Sequence, residues 1–279
     1  MPTAIPLHPL FAARIHGVDI RQPLDAAWIR DALDRWSVLV FPGQTITDEA
    51  QVAFSEIFGP LETTRAGANG AGGKLIVLTN IGPDGQIGQP SDKQVLNNKA
   101  NQFWHHDSSF KTIPARASIL SAREIPSAGG DTAFCSMRAA WNAMPEAMQA
   151  TARDRIAIHD FGWSRARVDP ALITETERTG HPPVERAVLA TENPNGPALY
   201  LGQHARSIKG LDDTGGRALI DGLMAHATDP DFIYSHRWQQ GDVVVWDNRA
   251  VMHRATPFAA SQERRHMVRT TASCPPAIH

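Results

Sequence analysis

The stretch "NQFWHHDSSF", Asn101–Phe110, sets two histidines and an aspartate among Phe103, Trp104 and Phe110. Polar and ionisable groups placed among aromatics are costly unless each finds a partner. In an extended strand, residues i and i+2 share a face. That spacing predicts His105 and Asp107 on one side, with Trp104 and His106 on the other. An imidazole and a carboxylate side by side can bind a divalent cation. Two ligands are too few, so a third must arrive from elsewhere in the chain.

Working outward, the pattern around this stretch is strand-rich. "SVLVFPG", "KLIVLTNI", "ASILSAREI", "SAGGDTAFCSM", "AVLAT", "ALYLGQHA", "FIYSHRW", "DVVVWDN" and "RRHMVRTTA" are short apolar runs bounded by Gly, Pro, Asn and Asp. Such spacing predicts a β-sandwich or barrel padded by helices. "WQQGDVVVW" reads as a hairpin. Helices are expected over Asp25–Trp36, from an N-cap at Thr47 to Gly59-Pro60, near Arg138–Ala150 and over Thr214–Thr228. "DFGWSRARVDPALITETERTGHPP" has no clear period and reads as an insertion. Loop-rich regions near 62–100 and 160–185, including "RAGANGAGG" at Arg65–Gly73, are the candidate lids.

The 279 residues carry a formal net charge of -2 and no long basic block, which argues against nucleic acid or an anionic membrane as partner. Cys135 and Cys274 form no metal-like spacing or disulfide framework, so a reducing cytoplasm is the expected compartment. The start "MPTAIPLHPLFAARIHG" does not read as a secretory signal, and no run is long enough to span a bilayer.

The third ligand is best supplied by His253 in "WDNRAVMHRATPF". Two histidines and a carboxylate on a β scaffold form the facial set of non-haem Fe(II) oxygenases, which leaves three open positions. A lone HxD or a lone histidine is weak; the combination carries the argument. "WHHDSSF", "WDNRAVMHRA", "RRHMVRTTA" and "GGDTAFCSMRAAWNAMP" together resemble the motifs of the taurine and phenoxyacetate dioxygenase family over nearly the whole chain. "PLHPLFAA", "FPGQ", "FSEIFGPLE" and "ANQFWHHDSSF" look closest to its 2,4-dichlorophenoxyacetate dioxygenase branch.

The resemblance implies a mainly β fold with flanking helices, a double-stranded β-helix (jelly-roll, cupin-like) core, as one domain over residues 1–279. It implies Fe(II) held by His105, Asp107 and His253 as the reactive centre, with 2-oxoglutarate and O2 consumed and ascorbate helpful in assays. Arg269 would match the arginine that grips the distal carboxylate of 2-oxoglutarate, Thr132 its hydroxyl partner, and Arg265 an inner arginine. The connecting loop "ATPFAASQE" is one residue longer than usual, which leaves Arg264 as an alternative to Arg265. Asn101, His204, Lys99 and Phe103 are the candidate substrate contacts.

The expected reaction is hydroxylation of a small carboxylate-bearing substrate, an aryloxyalkanoate being the first choice. Ether cleavage would give a phenol and a 2-oxo acid, with succinate and CO2 as co-products. A homo-oligomer, a dimer or larger, is expected. A taurine-like sulfonate dioxygenase is the alternative within the family. A zinc hydrolase would not need Arg269 and Thr132, a jelly-roll binding module would need no metal ligands, and Asp107 argues against a halogenase.

Overall fold

The computed structural model describes residues 2–64, 72–89, 96 and 99–274. Most of the glycine-rich stretch 65–73 and part of the polar connection before Asn101 lie outside them. The strands are β1 (Thr3–Pro6), β2 (Ala13–His16), β3 (Val38–Phe41), β4 (Ile76–Thr79), β5 (Ala115–Glu124), β6 (Thr132–Ser136), β7 (Ile156–His159), β8 (Val184–Ala187), β9 (Leu189–Ala190), β10 (Ala198–Leu199), β11 (Ala205–Ile208), β12 (Ile233–His236), β13 (Val243–Asp247), β14 (Val251–Ala255) and β15 (His266–Ser273). A large sheet runs β1-β2-β3-β13-β5-β15-β4, and a small sheet β12-β6-β14 faces it. These two sheets make the jelly roll.

Strand β13 shows how sequence alternation builds two cores. It lies between β3 and β5 and is buried along its length. Val243 and Val245 pack with Ile29, Leu33 and Phe54 of helices α1 (Ala26–Trp36) and α2 (Asp48–Ser55). Val244 and Trp246 turn to the opposite face and meet Phe134 and Val251 of the small sheet. A strand covered on both faces needs no polar alternation, hence the unbroken "VVVW". A third core lies outside the small sheet, where Cys135 and Met252 pack with Trp141 of α3 (Met137–Ala143) and with Ile220 and Leu223 of α7 (Asp213–Ala227).

Three expectations are corrected. β12 and β13 are not a hairpin: β12 pairs with β6 and β13 with β3 and β5, so the turn between them carries the chain from one sheet to the other. The helix expected near 138–150 is two, α3 and α4 (Glu146–Ala152), because Pro145 favours extended backbone at Met144 (ψ 133°). Region 160–185 is not structureless. It folds as α5 (Phe161–Ala166), a short 3-10 turn and α6 (Glu175–Gly180), capped by Asp160, Asp169 and Thr174 respectively.

Helix α2 is tied to the large sheet by a buried side chain. Gln51 Nε2 donates to Val268 O at 2.8 Å and Ile119 O at 3.3 Å, while Gln51 Oε1 accepts from Ser121 Oγ at 2.7 Å. Gln51→Leu keeps the volume and strands these groups, so we expect a loss of about 1–3 kcal/mol in urea unfolding; an unchanged midpoint would show that the cross-link adds nothing.

Candidate metal centre

His105, Asp107 and His253 converge, with one ligand atom from each lying within 4.8 Å of the others. The convergence comes from the backbone. His105 donates to His253 O at 3.0 Å and His253 donates back to His105 O at 2.9 Å, a single antiparallel bridge. The segment around His105 is therefore not the continuous strand expected; beyond that bridge it turns, with Ser108 at φ 52°. Gly202 passes close behind, at φ 125°. A Cβ there would lie 3.0 Å from Trp104 O and 3.2 Å from His105 Cα, so any side chain would press on the ligand backbone.

His105 Nδ1 donates to Phe103 O at 2.7 Å, since a carbonyl only accepts, and this leaves the Nε2 lone pair free. His105 Nε2 and His253 Nε2 stand 3.9 Å and 3.5 Å from the Asp107 carboxylate oxygens. His253 Nδ1 is buried and has no hydrogen-bond partner among the described residues. Burial pulls His105 below its usual pKa although Asp107 opposes this, and burial with the nearby His105 holds His253 well below. Burial would raise Asp107, but Arg269, His253 and His105 outweigh it and the carboxyl titrates well below the usual range. Two neutral nitrogens and one carboxylate fit a divalent transition metal. His106 faces away, its Nδ1 donating to Asn248 O at 2.7 Å and its ring lying 4.3 Å from Tyr200.

The two arginines stand in the reverse order to that expected. Arg269 is the inner one: its Nη1 donates to Asp107 Oδ1 at 2.6 Å. Register explains this. Arg269 lies opposite Leu120 and Thr271 opposite Ser118, and Ser118 Oγ itself donates to Asp107 Oδ2 at 2.7 Å. Arg265 precedes β15 and sits by Gly130, with Nη2 donating to Gly130 O at 3.3 Å and Nε buried with no hydrogen-bond partner among the described residues. That end of the cleft also holds Thr132, whose hydroxyl accepts from Trp238 Nε1 at 3.1 Å. Arg264, the alternative, points outward and pairs with Glu124 at 2.6 Å.

One cleft is lined by His105, His253, Thr132, Arg265, Arg269 and Asn101. The other candidate substrate contacts divide. Lys99 is exposed and Phe103 is 51% exposed. His204 is buried, with Nδ1 on Ser164 Oγ at 2.7 Å and its ring against Phe110 and Phe161. Burial first, then the charge of Arg165, keep it neutral, so it is not placed to serve as a cation. Sequence reading missed Ser118, Trp238 and Asn248. Asn248 lies inside the "WDN" run already singled out; Ser118 in an apolar strand gave no signal.

The fold and site define a metal-dependent jelly-roll enzyme. Residues 3–271 match the family described as "Taurine catabolism dioxygenase TauD, TfdA family", and the chain belongs to it. Among similar proteins is the alpha-ketoglutarate-dependent 2,4-dichlorophenoxyacetate dioxygenase of Cupriavidus pinatubonensis, 40% identical over 277 residues, 96% of each chain. The (S)-phenoxypropionate/alpha-ketoglutarate dioxygenase of Sphingobium herbicidovorans is 34% identical over 93% of this chain and 91% of its own. The crystal structure of AAD-2 in complex with Mn(II) and N-oxalylglycine superposes with a TM-score of 0.89 at 36% identity, covering 98% of this chain and 97% of that one. The chain is thus a non-haem Fe(II), 2-oxoglutarate-dependent dioxygenase. Among the described residues no helix is long and apolar enough to cross a membrane.

Five buried histidines set an acid limit. Burial lowers His105, His204 and His253, and brings His106 to about 4 and His159 to about 3. A group whose folded pKa is depressed takes up its proton first in the unfolded chain. Stability is therefore full above about pH 6.5 and falls as pH drops, by up to about 1.4 kcal/mol per unit for each histidine. Urea midpoints between pH 7.5 and 5 should decline steeply below 6.5; a flat profile would contradict the buried neutral assignment.

Proposed function

We propose that this dioxygenase hydroxylates a small aryloxyalkanoate at the carbon bearing the ether oxygen. The resulting hemiacetal collapses to a phenol and a 2-oxo acid. The observation that carries the reading is the cleft in which His105 and His253, converging with Asp107, are joined by two arginines and Thr132. The substrate class is supported by the relatives that act on 2,4-dichlorophenoxyacetate and (S)-phenoxypropionate.

His105, Asp107 and His253 would hold Fe(II), which when bound supplies the O2 activation that couples decarboxylation of 2-oxoglutarate, to succinate and CO2, with hydroxylation. Ascorbate would keep the iron reduced. Arg265 and Thr132 take the distal carboxylate of 2-oxoglutarate. The guanidinium offers a two-point fork, and Trp238 occupies an acceptor site of the Thr132 hydroxyl, leaving its proton free to donate. Arg269 neutralises Asp107 and lies next to the carboxylate of the incoming substrate. Leu78, Leu120, Trp246 and Phe258 line the cleft as apolar wall for the aryl ring, and Asn101 contributes a polar contact there; Phe110, Phe161 and neutral His204 pack on one another in tilted and edge-on contacts. Two free cysteines suit a reducing cytoplasm. A homo-oligomer of one continuous domain completes the reading.

Purified protein with Fe(II), ascorbate and 2-oxoglutarate should release a phenol from phenoxyacetates or phenoxypropionates in step with succinate. Arg265→Lys should raise the 2-oxoglutarate concentration needed about thirtyfold, equivalent to about 2 kcal/mol, because a point charge replaces the fork. Turnover of taurine with no aryloxyalkanoate consumed would favour the sulfonate alternative. An unchanged requirement in Arg265→Lys would place the cosubstrate elsewhere.

A further inference from the structure

Asn248 is buried without exposure and reaches Asp107 by two routes. Its Oδ1 accepts from the Asp107 backbone N–H at 3.0 Å and from Trp246 Nε1 at 3.1 Å. Both are donors only, which fixes the amide: oxygen toward them, nitrogen toward Ser118. Asn248 Nδ2 donates to Ser118 Oγ at 2.9 Å. That hydroxyl has one proton, and with a lone pair already engaged by an N–H it gives the proton to Asp107 Oδ2 at 2.7 Å. The main-chain carbonyl of Asn248, a separate group from this amide, accepts from His106 Nδ1 at 2.7 Å. A closed ring of hydrogen bonds thus runs from the Asp107 backbone through the Asn248 amide and Ser118 to the Asp107 carboxylate.

We propose that Asn248, acting through Ser118, is a positioning residue: it sets the rotamer in which Asp107 meets the metal. The inference rests on the reading of His105, Asp107 and His253 as the metal ligands. Groups that hold a metal-binding side chain in place commonly change affinity about 10–100-fold when removed.

The test is Co(II) titration of the metal-free full chain, read by the visible ligand-field band, beside urea unfolding of the same protein without metal. Ser118→Ala removes one oxygen and leaves the Asp107 N–H paired; it strands the buried Asn248 Nδ2 and so lowers the unfolding midpoint, and in the folded protein it should weaken Co(II) about tenfold or more. Asn248→Ala should weaken Co(II) at least as much, and the double variant no more than the worse single one, because both act along one chain. Ser118→Thr, which restores the hydroxyl, should recover the parent affinity. A Co(II) affinity within twofold of the parent in Ser118→Ala would overturn the proposal, as would fully additive effects in the double variant. If the parent itself binds no Co(II), it is the metal-centre reading that fails.

Discussion

Two backbone hydrogen bonds between His105 and His253 organise the site. They dock the Asn101–Phe110 segment onto β14, and β14 in turn pairs with β6, so that His253 stands opposite Phe134 and Ala255 opposite Thr132. One ladder therefore carries two of the three converging candidate ligands and, two residues before the partner of His253, the hydroxyl of Thr132 in the same cleft. The large sheet supplies the rest, Ser118 from β5 and Arg269 from β15, both ending on Asp107. Asp107 is the point where side chains of β5 and β15 reach the segment docked on β14.

This construction answers why so much charge potential is set among aromatics. Burial alone would favour the protonated carboxylic acid. Arg269 on one oxygen and Ser118 on the other keep Asp107 ionised, while burial keeps the two imidazoles neutral. Each group is thereby held in the protonation state that a divalent cation needs, and no proton has to leave at binding near neutral pH. Trp246, 4.5 Å from the His253 ring, and Phe134 supply the apolar wall that makes the field strong.

The strands and long helices were legible because their signals are local. Alternation, the helical run from Asp25 to Trp36, the cap at Thr47 and the stop at Gly59 fall where expected. The sheet-to-sheet crossing between β12 and β13 was not, because a turn signal says nothing of which partners the flanking strands choose. The convergence of His105, Asp107 and His253 could be read from motif spacing. The order of Arg265 and Arg269 could not: both lie in the same apolar-flanked run, and their distance from Asp107 depends on the register of β15 against β5. Ser118 was invisible because its role exists only once Asn248 is beside it.

The central claim is that His105 and not His106 belongs to the metal centre. Anaerobic addition of Fe(II) and 2-oxoglutarate should produce a visible metal-to-ligand charge-transfer band in the parent protein and in His106→Ala, and none in His105→Ala. A band that survives His105→Ala and disappears in His106→Ala would contradict it.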